Sequence, residues 1–336
     1  MKYIRFIKLI IIVLFFSACE SNKLDIDVSH VDLEVKVHRF DRELFETNPD
    51  SIFRGRLKFE EEYGDFFQRY IENVIGIGQI DDPGIADSLR KFINDPYITE
   101  LYNDVKKAYP DLSWLNEGLT DAFKHYKFYF PEKIIPKPVA FISGLNYAMV
   151  TTDSVLGIGL TMYLGRHYKN YAMMGFPEYK TANMNAANIL PDAVKGWVST
   201  EIDFEPSGKD LLAQIVHQGK MMYILDAILP KVEDSLKIGY TSQQMEWCKN
   251  NEANIWAHFI DKELLFSTDF KEVVKYMNEG PFTPGFPRES PSKTGTWMGW
   301  QIVRAYMDRQ ENIDLNKLIG TDARVILKES KYKPKK

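Results

Sequence analysis

A histidine set inside an apolar helix is the first place in this sequence where chemistry could be done. Residues Asp210 to Pro230 read DLLAQIVHQGKMMYILDAILP. Leu212, Ile215, Val216, Gly219 and Met222 fall on one flank of a 3.6-residue turn, and Ala213, Met221, Ile224, Leu225 and Ile228 on the other. A helix apolar on both flanks is buried, and Pro230 ends it. His217 sits in the second flank, with Gln218 after it and Met221 one turn on. The helical pattern His-Glu-x-x-His grips zinc between imidazoles at i and i+4, and the intervening carboxylate activates water. Here Gln218 stands at the base's position and cannot accept a proton at neutral pH. Met221, a soft thioether poorly suited to zinc, stands where the second ligand belongs. Two readings stay open on these residues alone: a core histidine satisfied by a buried partner, or a metal-hydrolase helix that has lost its chemistry.

A carboxylate is the next candidate. Thr241-Ser242-Gln243-Gln244 reads as a capping box opening a helix that runs to about Phe266. Met245, Cys248, Ile255, Phe259 and Phe266 share one stripe of it, and Glu252 falls on that stripe. A carboxylate facing a core must be paired, coordinated or protonated, whereas one at the helix edge is simply hydrated. Arg304 shares a face with Trp297, Trp300, Val303 and Met307 on a last major helix, Trp297 to Gln310, and is one possible buried partner for Glu252. A working metal site would need a further ligand such as His258 or His167. His258 lies six positions from Glu252 and points elsewhere, and His167 falls in an irregular stretch. Asp81-Asp82 precedes Pro83-Gly84 and reads as a solvated turn.

The elements that must position these groups are mostly helical. Val31, Leu33, Val35 and Val37 alternate with polar residues and predict a half-exposed strand. From Ile52 to Phe130 helices dominate, with Phe59, Tyr63, Phe66, Phe67 and Tyr70 at helical spacing as core, and with boundaries at Pro96, Pro110 and Pro131. Val139–Ser143, Tyr147–Thr151 and Val155–Leu160 are three short β-type runs. Residues 165–209 read as an irregular covering excursion, and Gly280 to Thr296 as a proline-stiffened loop. The expected class is α+β, mostly helical, with a small sheet ahead of a buried central helix.

The chain's 336 residues are 45% hydrophobic, which is ample for one large core. Residues 1–18 carry Lys2, Arg5 and Lys8 and no acid, so removing them takes the net charge from −5 to −8. An acidic body with no basic stripe excludes nucleic acid as the expected partner. The basic n-region and the apolar run Leu9 to Phe16 form a signal peptide over 1–18. Ser17-Ala18-Cys19 is similar to a bacterial lipobox, which implies cleavage and lipidation of Cys19, with a polar tether over 19–30. A globular domain over 31–328 and a solvated basic tail over 329–336 complete the expected organisation. Cys248 is then the one remaining thiol and reads as buried filler.

Taken together, the motifs resemble one family. They are the lipobox, Arg39-Phe40-Asp41, Gly157-Ile158-Gly159-Leu160 with Tyr163-Leu164-Gly165, and His217-Gln218-Gly219-Lys220. Glu246-Trp247, Asn251-Glu252, Glu289-Ser290-Pro291 and Trp297-Met298-Gly299-Trp300 complete the set. End to end, the chain resembles the gliding-motility lipoprotein GldB family. The resemblance implies a lipid-anchored cell-envelope protein, on the periplasmic face or outer membrane with the leaflet left open, acting with other gliding-motality and secretion proteins. It also implies kinship with predicted zinc peptidases of zincin-like, gluzincin-type fold, in which His217 matches the first ligand and Glu252 the third. Gln218 and Met221 depart from that pattern, leaving a zinc site incomplete. The expected function is a catalytically inactive pseudo-peptidase with no metal or other cofactor. The alternatives are a metal-dependent hydrolase with a non-standard site and a ligand-binding surface lipoprotein.

Overall fold

A computed structural model describes residues 22–48, 51–202 and 204–335. The expected signal peptide and Cys19 lie outside the described residues. Helices hold 56% of the described residues and the strands form one small sheet, so the class is α+β and mostly helical, as predicted.

The first half packs around an aromatic centre. Helices α1 (Phe40–Phe45), α2 (Ile52–Tyr63), α3 (Asp65–Arg69, continued by a π-turn to Val74) and α4 (Ile85–Ile93) surround Phe40. Its ring meets those of Phe59, Tyr63, Phe66, Phe67 and Tyr70 edge-on at centroid distances of 5.0–6.0 Å. Such pairs add about 0.5–1.5 kcal/mol each beyond their buried area. Arg39 and Asp41 flank Phe40 and close on each other through two hydrogen bonds of 2.9 and 2.7 Å. Asp41 is fully buried, and Arg39 also reaches the Tyr109 carbonyl at 3.1 Å. The Arg-Phe-Asp motif is therefore an anchor between α1 and the end of α5 (Pro96–Ala108), whose first turn Asp95 caps.

After α6 (Ser113–Tyr129) come β1 (Lys137–Phe141), β2 (Met149–Thr151) and β3 (Val155–Gly159), in the order β1-β3-β2. β1 runs parallel to β3, and β2 pairs with it antiparallel. Both faces are covered. Val139, Phe141 and Val155 turn to the aromatic centre, while Ala140, Ile142, Leu156 and Ile158 turn to the main core.

The strand expected over Val31 to Val37 does not form. Its backbone donors go instead to side chains of α6: Val35 N–H donates to Thr120 Oγ1 and Val37 N–H to Asn116 Oδ1, both at 2.9 Å. The alternation arises because Val35 and Val37 are buried against that helix, and only His38 bridges to β1.

The second half is helical. It comprises α7 (Lys169–Met173), α8 (Glu178–Thr181), α9 (Ala186–Glu201), α10 (Leu211–Ile228), α11 (Asp234–Ile238), α12 (Ser242–Asn250), α13 (Glu252–Asp261) and α14 (Phe270–Met277). α15 (Thr294–Met307), α16 (Leu315–Gly320) and α17 (Ala323–Ser330) complete it. The stretch read as an irregular excursion thus contains a four-turn helix, α9. Pro191 in its interior disguised it, although Ile189, Ala193 and Trp197 recur at helical spacing and are buried. The helix expected from 241 to 266 opens on its capping box but breaks at Asn251 into α12 and α13. Cys248, fully buried on α12, has its thiol pKa pushed well up by desolvation. It is expected to resist a thiol reagent at pH 8 in the native protein and to react only in denaturant, as followed by absorbance.

Two expected peripheries are docked. Leu24 and Val28 are buried, so the chain from residue 22 lies on the body. In the basic tail, the Tyr332 hydroxyl donates to Glu252 at 2.7 Å and its ring meets Trp256 edge-on.

Candidate functional site

Helix α10 runs through the core and packs closely against α15. Asp210 caps its first turn by accepting from the Ala213 N–H at 2.9 Å, and Arg324 holds that carboxylate at 2.7 Å. The next N–H groups, of Leu211 and Leu212, donate to the carbonyls of Ser267 and Leu265. All four orphan donors of a helix start need such partners when buried. From Leu211 to Ile228 nearly every side chain is buried.

Each residue of His217-Gln218-Gly219-Lys220 then has its own direction. Gly219 lies against α15: a Cβ there would come within 2.3 Å of the Gly299 carbonyl oxygen. Lys220 is buried and donates to the carbonyls of Ile319 (2.8 Å) and Thr321 (2.6 Å), closing the C-terminal end of α16, with Phe204 beneath its ammonium. Burial pulls the Lys220 pKa down. His217 and Gln218 turn the other way. With Met221 they line a cavity of about 380 Å³, closed on its far side by Ala148 and Met149 at β2 and by Asp192, Lys195 and Gly196 of α9. The imidazole packs on Phe204, with ring centroids 4.6 Å apart. The three positions singled out in the sequence therefore do converge on one cavity, and that cavity faces β2, one of the two edge strands of the sheet.

Glu252 is not among the residues lining it. It opens α13, is buried, and accepts from the Tyr332 hydroxyl. His258 bonds Tyr276 through Nε2 at 2.9 Å, and burial lowers its pKa. His167 is exposed on the turn before α7. Among the described residues no three His, Cys, Asp or Glu side chains converge to hold a metal ion. His217 beside an amide and a thioether does not fit a zinc centre.

The pairing of Glu252 with Arg304 is corrected. Arg304 instead binds Asp226 of α10 through Nε and Nη2, both at 2.8 Å, and Asp234 of α11 at 2.7 and 2.8 Å. Lys237 reaches Asp226 at 2.9 Å, and the Trp300 indole N–H donates to it at 2.8 Å. The guanidinium lies over the Trp300 ring at 3.9 Å. Burial alone would lower the Arg304 pKa, but the two carboxylates raise it. Two cations and two anions thus balance within one buried cluster. Asp226 was visible as a lone acid in the apolar run, but its partner could not be chosen without the tertiary arrangement.

A second cavity of about 380 Å³ continues from the first through the shared residues Ala148, Tyr163, Asp192 and Lys195. The Tyr163 hydroxyl donates to Asp192 at 3.0 Å. Burial raises the Asp192 pKa, with the Tyr163 bond and Lys195 opposing it. Asp192 and Lys195 were missed in the sequence because they lie on α9, the helix that Pro191 concealed.

The family described as gliding motility protein GldB matches residues 21–334, nearly the whole chain. No curated protein and no solved structure matches it.

Proposed function

The chain belongs to the GldB family of gliding-motility proteins, and on that premise we propose that it is a lipid-anchored envelope protein built on a zincin-like scaffold, serving the motility machinery through protein contacts rather than catalysis. The observation that carries this reading is the cavity between α10 and the edge of the sheet. His217, Gln218 and Met221 line it; read as a zincin helix they would stand for a first ligand, a base and a second ligand, and two of the three are chemically unfit for those roles. Glu252, which the resemblance puts at the third position, does not line this cavity and is engaged by Tyr332 instead, so the reading rests on α10 and the sheet edge and draws no support from Glu252. Gln218 offers only an amide to any water held there. A lipid on Cys19 would provide the attachment, since no helix among the described residues is long and apolar enough to cross a membrane.

The scaffold assignment has a direct test. In the Gln218→Glu, Met221→His double variant, two imidazoles one turn apart would face the cavity with a carboxylate between them. The variant is expected to take up about one zinc per chain by elemental analysis, against no uptake in the parent protein. Failure of the folded variant to bind zinc would refute a zincin-type geometry at this helix.

A further inference from the structure

Lys195 stands at the junction of the two cavities with no counter-ion in contact; the carboxylates of Asp192 and Glu279, which line the same space, act on it only from beyond salt-bridge distance. Its ammonium is almost wholly enclosed by protein, yet it keeps accessible surface, as a group at the bottom of a cleft does. Among the described residues it makes no hydrogen bond, and no carboxylate comes within salt-bridge distance of it. Burial first, and repulsion from Lys293 second, pull its pKa below the usual lysine range. Lys293 lines the same cavity, held at 3.3 Å by Glu279, a largely exposed side chain free to swing away. Asp192, one turn from Lys195, already accepts the Tyr163 hydroxyl. A buried cation with no carboxylate in contact is costly, and an anion supplied from outside would offset that cost.

The wall beside it fixes the shape of that ligand. β2 is the last strand of the sheet. Its ladder closes through Ala148 with Gly159 at 2.8 Å and Thr152 with Val155 at 3.0 Å, with Met149 opposite Ile158 and Thr151 opposite Leu156. Met149 and Thr151 therefore hold the non-hydrogen-bonded positions, which turn their N–H and C=O groups to the open edge. Met149 also lines the cavity that holds Lys195. An extended backbone laid along that edge would find main-chain donors and acceptors, with Lys195 and Lys293 within the same cleft.

We infer that this cleft binds an extended acidic peptide segment, pairing with the edge of β2 and seating one carboxylate on Lys195 with help from Lys293. It deepens the protein-contact reading above and rests on it only in that the partner is a protein. The carboxylate could belong to a side chain or to a chain end, and the two are separable.

Three fluorescein-labelled hexapeptides of β-branched residues serve as probes with the full-length protein in detergent micelles. One is amidated with a central glutamate, one amidated with a central glutamine, and one has glutamine and a free C-terminal carboxylate. By anisotropy, at least one carboxylate-bearing probe is expected to bind about tenfold or more tightly than the amidated glutamine probe. Which of the two does so identifies the source. Lys195→Gln is expected to abolish the preference without lowering the melting temperature. Should that variant not fold, the parent protein still decides the matter: the preferred probe must protect Lys195 from acetylation by an N-hydroxysuccinimide ester, read by mass spectrometry. No binding up to millimolar probe, a preference that survives Lys195→Gln, or acetylation of Lys195 unaffected by the probe would overturn the inference. None of these outcomes bears on the zinc uptake of the Gln218→Glu, Met221→His variant, so the two readings fail separately.

Discussion

Asp226→Ala is expected to remove about 3–5 kcal/mol of stability, a large part of the roughly 5–15 kcal/mol that domains possess. Asp226 is almost fully buried and joins Arg304, Lys237 and the Trp300 indole. Its loss leaves Lys237, itself buried, with only Asp234 at 3.5 Å, while Arg304 keeps one carboxylate of two. The uncompensated positive charge, more than the lost attraction, sets the cost. Urea denaturation should show a lower midpoint with unchanged slope, and a loss below about 1 kcal/mol would mean the cluster behaves like a surface ion pair. Acid acts on the same cluster through Asp234. Burial alone would raise its pKa, but hydrogen bonds from Arg304 hold it below 3.8. Its contribution is therefore full at neutral pH and is lost as the pH falls through that lowered folded value.

Gly299→Ala is expected to be nearly as damaging, by about 3 kcal/mol or more. A Cβ on Gly299 would lie 1.7 Å from the Ile215 carbonyl oxygen, and one on Gly219 2.3 Å from the Gly299 oxygen. Both obstacles are helix backbone, so no side chain can rotate away and α10 and α15 must separate. The melting temperature should fall on the order of 10 °C. Gly320→Ala, where nothing lies within 4 Å of the new methyl, is the matched control and should stay within about 0.5 kcal/mol. An equal effect of the two substitutions would show that the crossing is looser than its geometry.

These two sites explain what the sequence made legible and what it hid. The apolar run of α10, the capping box at Thr241 and the aromatic stripe of α2 and α3 were readable because local periodicity and capping chemistry decided them. His217-Gln218-Gly219-Lys220 and Trp297-Met298-Gly299-Trp300 were recognisable as motifs, but their meeting at two glycines is a tertiary fact. The Val31–Val37 alternation has the period of a strand, yet helix side chains supply its hydrogen bonds. Pro191 outweighed a helical pattern that the buried core nonetheless enforces. In the site, spacing set His217 and Met221 one turn apart on one flank but did not show that they face a cavity, and Asp192 and Lys195 entered only once α9 was stacked beside β2.

The start of the described chain also has a bearing on posture. Asn22 donates to the Pro230 carbonyl and Lys23 to that of Met307, at the trailing ends of α10 and α15. Only three peptide units separate Cys19 from Asn22, a reach of about 11 Å at full extension. A protein fastened by acyl chains at Cys19 would consequently stand close to the bilayer, with the trailing ends of α10 and α15 nearest the lipid, instead of swinging on a leash.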